Sequence, residues 1–340
     1  MNEKQKLLEV KNLKTYFFLD EGTVHAVDGV EFQIEQGKTL GVVGESGCGK
    51  SVTAQSILRI VPPPGRVVEG EIVYHRALKN DEGFSMTDVI DLTQLNPRGS
   101  DMRSIRGNEI AMVFQEPMTS LSPVHTIGFQ IMEAISLHQE VSKSEARELT
   151  IEILSRVGMP QPSQTVDSYP FQLSGGMRQR GMIAMALSCH PTLLIADEPT
   201  TALDVTTEAQ ILALMNELQE EFGMAMMYIT HDLGVIAEMS DEVIVMYLGR
   251  VVERADVKAI YYNPYHPYTR ALLKSIPRIG KKARKRLDAI EGMVPDPYGI
   301  PQGCTFHPRC PQATAGTCNR AEPPWIEVEP GHWVRCHRYA

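Results

Sequence analysis

The sequence predicts an α/β protein whose core of buried strands is interrupted by a helical block and followed by a small cysteine-rich tail. Three observations point there. Short, continuously apolar runs recur at residues 39–43 (TLGVV), 192–196 (TLLIA) and 225–229 (AMMYI), as strands buried on both faces require. Between about 117 and 190 the apolar spacing turns helical, as in IGFQIMEAISLH and KSEARELTIEILSRVG. Beyond Pro264 the composition shifts to Pro, Arg and Cys. The bulk composition agrees with a folded chain: 340 residues suggest about two domains. Hydrophobic content of 43% and charged content of 22% exclude wholesale disorder. With 33 basic and 42 acidic side chains the net charge is −9, which argues against a general nucleic-acid binder. No apolar run reaches the roughly 18 residues of a bilayer span. The polar start MNEKQKLLEV lacks the apolar segment of a signal peptide, so a cytosolic chain is expected.

In chain order, residues 7–13 and 27–34 read as strands ahead of the buried run 39–43. A glycine-rich turn follows, then a helix from about 50 to 60, stopped by Pro62, Pro63, Pro64 and Gly65. Residues 78–108 are polar, rich in Asp, Asn and Gly, and read as a connecting insertion with one short helix. The helical block comes next. The run 192–196 then leads into an acidic turn, and the run 225–229 into Thr230, His231 and Asp232. The expected division is a first domain over residues 1–262, with a helical subdomain at about 117–190, and a C-terminal domain over 263–340.

Chemistry enters at the first buried strand. Gly44, Glu45, Ser46, Gly47, Cys48, Gly49, Lys50 and Ser51 fit the phosphate-loop pattern G-x-x-x-x-G-K-[ST] at every fixed position, and Val52 continues into the helix. Glycines let backbone N–H groups curl around phosphate oxygens at a helix N-terminus that already favours anions. Lys50 can reach the β- and γ-phosphates, and the Ser51 hydroxyl can ligate Mg²⁺. With a strand before the loop and a helix after it, the core reads as a P-loop NTPase (RecA-like) fold. Cys48 fills a variable position and reads as a small tolerated residue, not a redox centre. Asp197 and Glu198 follow the second buried run. Such a pair is often only a solvated turn. Beside a P-loop, Asp197 reads as holding Mg²⁺ and Glu198 as polarising the attacking water.

Further motifs narrow the class. Leu173, Ser174, Gly175, Gly176, Met177, Arg178, Gln179 and Arg180 form a run that resembles the signature motif of ATP-binding cassette (ABC) proteins, with Met177 where many cassettes carry Gln. Gln115, in VFQEP, is similar to the Q-loop of that family; Thr201, Ala202, Leu203 and Asp204 to its D-loop; His231 to its switch histidine. Phe17 aligns best with the aromatic residue that stacks on adenine, and Tyr16 is the alternative one position earlier. The runs LSGGMRQR, QEPMTSL and NPYHPYTR resemble the ATPases of dipeptide, oligopeptide and nickel importers.

The resemblance implies ATP hydrolysis shared between two cassettes packed head to tail. The Ser174, Gly175 and Gly176 motif of one subunit, with Asp204, would close over ATP held by the other's P-loop. Glu198 would serve as general base or water-orienting group, His231 would hold the γ-phosphate and the catalytic geometry, and Gln115 would join Ser51 and Asp197 at Mg²⁺. The partners implied are a second ATPase subunit, identical or related, two transmembrane permease subunits, and indirectly a substrate-binding protein. The protein would then lie on the cytoplasmic face of the membrane, without nucleic acid. The helical block would dock on the permease, although Ile127, Phe129, Ile131 and Met132 could equally be core. The basic run at residues 281–286 reads as a solvated helix face, with anionic lipid headgroups the alternative.

Cys304, Cys310, Cys318 and Cys336 crowd the tail, separated by five, seven and seventeen residues. Four thiols without the short pairs usual for zinc read as a metal site, and the resemblance implies a [4Fe–4S] cluster, with Zn²⁺ as the alternative. Other readings of the whole chain are a soluble ABC ATPase outside transport, a metal-binding sensor, or a nickel rather than a peptide importer.

Overall fold

The computed structural model describes residues 5–79, 85–116, 120–201, 203–275 and 290–340. These form two compact units, one built from Lys6–Ile34, Thr39–Gln94 and Ile229–Ala340, the other from Leu95–Tyr228 with Glu35–Lys38.

The first unit holds two sheets. One follows the order β2-β1-β4-β5 and comprises β1 (Lys6–Leu19), β2 (Gly22–Glu35), β4 (Gly65–Lys79) and β5 (Ser85–Asp91). Leu8, Val10 and Leu13 of β1 and Ile72 and Tyr74 of β4 are buried, with Val10 opposite Ile72 in an antiparallel register. The other sheet of this unit runs β11-β12-β10-β9-β3, made of β3 (Thr39–Val43), β9 (Glu242–Tyr247), β10 (Arg250–Asp256), β11 (Trp325–Glu329) and β12 (His332–Arg335). β3 and β9 are parallel and almost wholly buried, which is why residues 39–43 read as a continuous apolar run; β9, beginning at Glu242, is not among the strands expected from the sequence. Helices α1 (Lys50–Ile57), α8 (Leu233–Met239), α9 (Val257–Tyr262) and α10 (Pro267–Lys274) complete the unit.

The tail joins this unit through β12, which pairs antiparallel with β10. A buried carboxylate secures the junction. Glu253 of β10 is fully buried and accepts hydrogen bonds from the backbone N–H of Tyr265 at 2.6 Å and of His266 at 3.0 Å, and pairs with His332 Nε2 at 2.8 Å. A carboxylate without such donors would be costly inside a protein. Here it ties the turn before α10 and the start of β12 to one strand.

The second unit contains three buried strands, β6 (Ile110–Val113), β7 (Leu193–Asp197) and β8 (Ala225–Ile229), with β7 between the other two. β6 and β7 are parallel, Ile110 opposite Leu193 and Val113 opposite Ala196. Its helices are α2 (Ser100–Ile105), α3 (Ile127–His138), α4 (Lys143–Arg156), α5 (Pro162–Thr165), α6 (Gly175–Leu187) and α7 (Val205–Phe222). Thr126 caps α3, and Ser142 with Glu145 forms a capping box on α4, so both starts are written in the sequence. Gly128 admits the close approach of α3 to the end of α5: a Cβ there would stand 2.2 Å from Val166 Cγ2.

Several expectations change. The first two strands are longer than residues 7–13 and 27–34, and the helix after the loop ends at Ile57. Within the expected insertion 78–108 there is a strand, β5, as well as the short helix α2. β5 is an edge strand with Val89 58% exposed, so it carries no continuous apolar run. Of the residues weighed for docking, Ile127 and Ile131 are core, whereas Phe129 is exposed and stacks on His125 with centroids 4.7 Å apart. The basic run 281–286, Pro117 to Thr119 and Ala202 lie outside the described residues. Among the described residues, no helix is long and apolar enough to cross a membrane.

Candidate nucleotide site

In the first unit, the buried strand β3 delivers the chain into the loop 44–49, and α1 begins at Lys50. Gly47 and Gly49 have φ of 78° and 102°, and a Cβ on Gly49 would meet Ala26 O at 2.2 Å. Only glycine fits that second position. The Lys50 ammonium is buried within the loop, donating to Gly44 O at 2.8 Å and Glu45 O at 3.3 Å. No acidic side chain occupies the first turn of α1, so the positive end of the helix is left to an anion. Cys48 is buried and desolvation pushes its thiol pKa up, which keeps it protonated and unreactive. Ser51 and Val52 are half-buried in the first turn of the helix.

Two residues that sequence reasoning missed grip this loop. Arg309 donates to both carboxylate oxygens of Glu45, at 2.6 and 3.0 Å, and Tyr268 Oη accepts from the Glu45 backbone N–H at 2.9 Å. No local pattern announces them, because both lie more than 200 residues downstream.

Of the two aromatic candidates, Tyr16 is already engaged. Its hydroxyl donates to Asp28 Oδ1 at 2.8 Å, its ring stacks on His25 with centroids 4.0 Å apart, and burial together with Asp28 raises its pKa. Phe17 lies on the opposite side of the strand, the side on which Thr15 shares a hydrogen bond with Ser56 of α1 at 2.8 Å. Phe17 packs over Gly65, where a Cβ would stand 2.6 Å from its ring. His231 is exposed and follows Thr230, whose N–H donates to Val42 O at 3.2 Å, beside the strand that carries the loop.

In the second unit, parallel β6 and β7 end side by side, and Gln115 and Glu198 follow those ends. The Gln115 amide donates to Glu198 Oε2 at 3.0 Å, so two residues singled out separately in the sequence meet. Thr201 Oγ1 donates to the same oxygen at 3.1 Å, a contact the sequence did not suggest. Glu198 has a left-handed backbone, φ 47°, uncommon for a residue with a side chain and typical of strained functional turns. Asp197 is buried at the strand end.

Ser174 is exposed and caps α6, accepting from Met177 N at 3.3 Å. Asp204 is likewise exposed and caps α7, accepting from Thr206 N at 3.1 Å, Thr207 N at 3.0 Å and Thr207 Oγ1 at 2.7 Å. The Thr207 hydroxyl chiefly, with the backbone amides, lowers its pKa. Gly175 and Gly176 begin α6, and a Cβ on Gly176 would stand 2.8 Å from Thr207 Cγ2, so the signature run and the D-loop helix touch.

Comparison with known proteins bears on this geometry. The profile of the family described as "ABC transporter" matches residues 27–201. The chain is 49% identical to a probable peptide ABC transporter ATP-binding protein of Sinorhizobium fredii, over 98% of this chain and 95% of that one. It is also 49% identical to the oligopeptide transport ATP-binding protein AppD of Bacillus subtilis, over 98% of this chain and 97% of that one. The chain belongs to the ABC transporter family. It is an ATPase subunit of that family. A dimeric structure of the ATP-binding cassette MJ0796, in a post-hydrolysis state with ADP and phosphate, is similar at a TM-score of 0.62 and 27% identity, covering 74% of this chain and 99% of that one. The fold is that of a P-loop ABC ATPase.

Residues 252–318 of this ABC protein match a second profile, "Oligopeptide/dipeptide transporter, C-terminal region". That region carries Cys304, Cys310 and Cys318, and Cys336 lies beyond it; all four thiols are free. Burial pushes the Cys304 thiol up to about 11, and the neighbouring Cys336, Cys318 and Cys310 add to the rise. Among the described residues, however, no group of three or more His, Cys, Asp or Glu side chains is placed to hold a metal ion.

Proposed function

We propose that this ABC ATPase powers the import of di- or oligopeptides, working as one of two ATPase subunits on a pair of membrane permeases. The observation that carries this reading is the joint match to the ABC and the oligopeptide/dipeptide transporter profiles, which together extend over residues 27–318 apart from the stretch 202–251. In this reading Phe17 stacks on adenine, since Tyr16 is committed to Asp28 and His25. The loop 44–49 and Lys50 take the phosphates, and Ser51, Gln115 and Asp197 supply the oxygen ligands that suit Mg²⁺. Glu198 accepts the proton of the attacking water, oriented by Gln115 and Thr201. His231 steadies the γ-phosphate. Ser174 and its following amides close on nucleotide held by the partner ATPase, which fits their exposure. Exposed Val124, Phe129 and Leu137 give the helical block an apolar surface suited to a permease.

The test is purification from membranes with the native partners, followed by peptide uptake into vesicles loaded with ATP. Uptake that depends on ATP and stops on depletion of this subunit is expected; uptake of nickel instead of peptide would overturn the assignment of cargo. A second part of the proposal concerns the tail: Cys304, Cys310, Cys318 and Cys336 bind one [4Fe–4S] cluster. Its support is compositional, four free thiols on a short Pro-rich segment, since the described residues do not gather three of them into a metal-binding group. When bound, such a group would tie together a tail with little core of its own. Anaerobic purification should give a brown protein with about four irons per chain; a colourless protein with one zinc would replace the cluster with a structural ion.

A further inference from the structure

The second residue of the phosphate loop is held from outside at both its backbone and its side chain. Tyr268, 223 positions later, takes its amide, and Arg309, 264 positions later, takes both oxygens of its carboxylate. This Arg–carboxylate fork is almost fully enclosed on the arginine side, with the Arg309 side chain 4% exposed and that of Glu45 26%. Arg309 is anchored further by Nε to Glu291 O at 3.3 Å and Nη1 to Tyr247 Oη at 3.4 Å. Beneath it, the rings of Tyr247, Tyr268 and Phe306 pack with centroids 4.7 to 5.3 Å apart. On the other side of the same loop residue, the Glu45 carbonyl accepts from Lys50 at 3.3 Å. A chain of contacts thus runs from Arg309 through Glu45 to Lys50.

A carboxylate in the second position of a phosphate loop is an electrostatic problem. Its charge repels the phosphates that the loop amides and Lys50 attract. Bidentate pairing with a guanidinium cancels that charge and fixes the residue's orientation at once.

We propose that Arg309, with Tyr268, is a positioning residue for ATP binding: it neutralises Glu45 and holds the phosphate loop in its receiving shape. The C-terminal segment is therefore part of the nucleotide site and not an appendage to it. The proposal rests on the reading of residues 44–51 as the phosphate loop.

Nucleotide affinity and steady-state ATPase activity of the full chain with its partners test it. Arg309→Ala should raise both Kd and KM for ATP about tenfold with kcat changed by less than about twofold, because the contact acts on binding and not on the water or its base. Arg309→Lys should recover part of the loss, since it restores charge without the fork. The deciding variant is Glu45→Gln combined with Arg309→Ala. Removing the stranded carboxylate should bring KM back toward the parent, whereas a mere tether for the tail would leave the double variant as weak as the single one, and that result overturns the proposal. An unchanged KM in Arg309→Ala, with only a lower unfolding midpoint, overturns it too. If Arg309→Ala does not fold, Tyr268→Phe and Glu45→Gln each remove part of the grip, and each should raise KM about threefold; no rise in either overturns it. Lys50→Ala separates the underlying reading: if that variant binds ATP like the parent, the phosphate-loop assignment itself has failed.

Discussion

Glu45 and Glu198 both follow buried strands, yet the protein holds these two carboxylates in opposite ways. Glu45 is paired with a guanidinium over two hydrogen bonds, and its amide is taken by a buried tyrosine. Glu198 is reached by a neutral amide and a neutral hydroxyl at 3.0 and 3.1 Å, on a left-handed residue. A carboxylate gripped by a guanidinium fork is fixed at both oxygens. At Glu198 an amide and a hydroxyl set the direction of one carboxylate oxygen instead. The difference sets the carboxylate proposed to shape the binding loop against the one proposed as the base of hydrolysis.

The largest expected effect tests that separation directly. Glu198→Gln should lower ATP turnover by about 100-fold or more while leaving nucleotide affinity near the parental value, since the amide keeps the shape and loses the base. It should also accumulate an ATP-bound dimer, read by size-exclusion chromatography. Glu45→Gln should do the reverse, weakening affinity and sparing turnover. Equal effects of the two substitutions on kcat would erase the contrast.

A second test concerns stability around the phosphate-loop side. His266 is fully buried, its Nδ1 accepting from Tyr268 N at 3.1 Å, and desolvation lowers its pKa to about 4 against the partial opposition of Glu253. The unfolded chain binds a proton near pH 6.5, whereas the folded one does so only near pH 4. Between those values the unfolded state carries more protons, so stability falls as pH falls through this window, by on the order of 3 kcal/mol in total. Denaturant melts of the parent and of His266→Gln at pH 8 and pH 5 measure it. The substituted chain should show a clearly flatter pH dependence; parallel curves would mean that other groups set the slope.

How much of this was legible in the sequence depends on whether the signal is local. The strands β3, β7 and β8 are written in contiguous apolar residues, and the structure bears out these elements; the caps of α3 and α4 are equally local, though they are not among the features expected from the sequence. Gln115 and Glu198 could be named separately, and their contact follows from the parallel register of β6 and β7, which no short motif encodes. β5 was missed because an edge strand with one wet face has no apolar run to read. Glu45–Arg309 and Glu253–His332 were missed for a different reason. Each joins polar side chains dozens to hundreds of positions apart, and a polar residue in a polar stretch looks like surface until its partner is in place.

The smallest expected effect concerns Asp204, which the motif places in the D-loop and the structure makes the N-cap of α7. A capping carboxylate and a residue that meets a second subunit predict different outcomes, because capping needs only a side-chain oxygen acceptor whereas an intersubunit role can need the charge. Asp204→Ala removes the acceptor for Thr206 N, Thr207 N and Thr207 Oγ1 and should lower the unfolding midpoint by about 2–4 °C. Asp204→Asn keeps an acceptor of the same shape and should restore most of that loss. ATPase activity measured on the same two variants then divides the roles. If Asn restores both midpoint and turnover, Asp204 acts through the helix it caps. If it restores the midpoint while turnover stays low, the Asp204 charge itself is used in turnover, as the proposed contact with a second subunit requires.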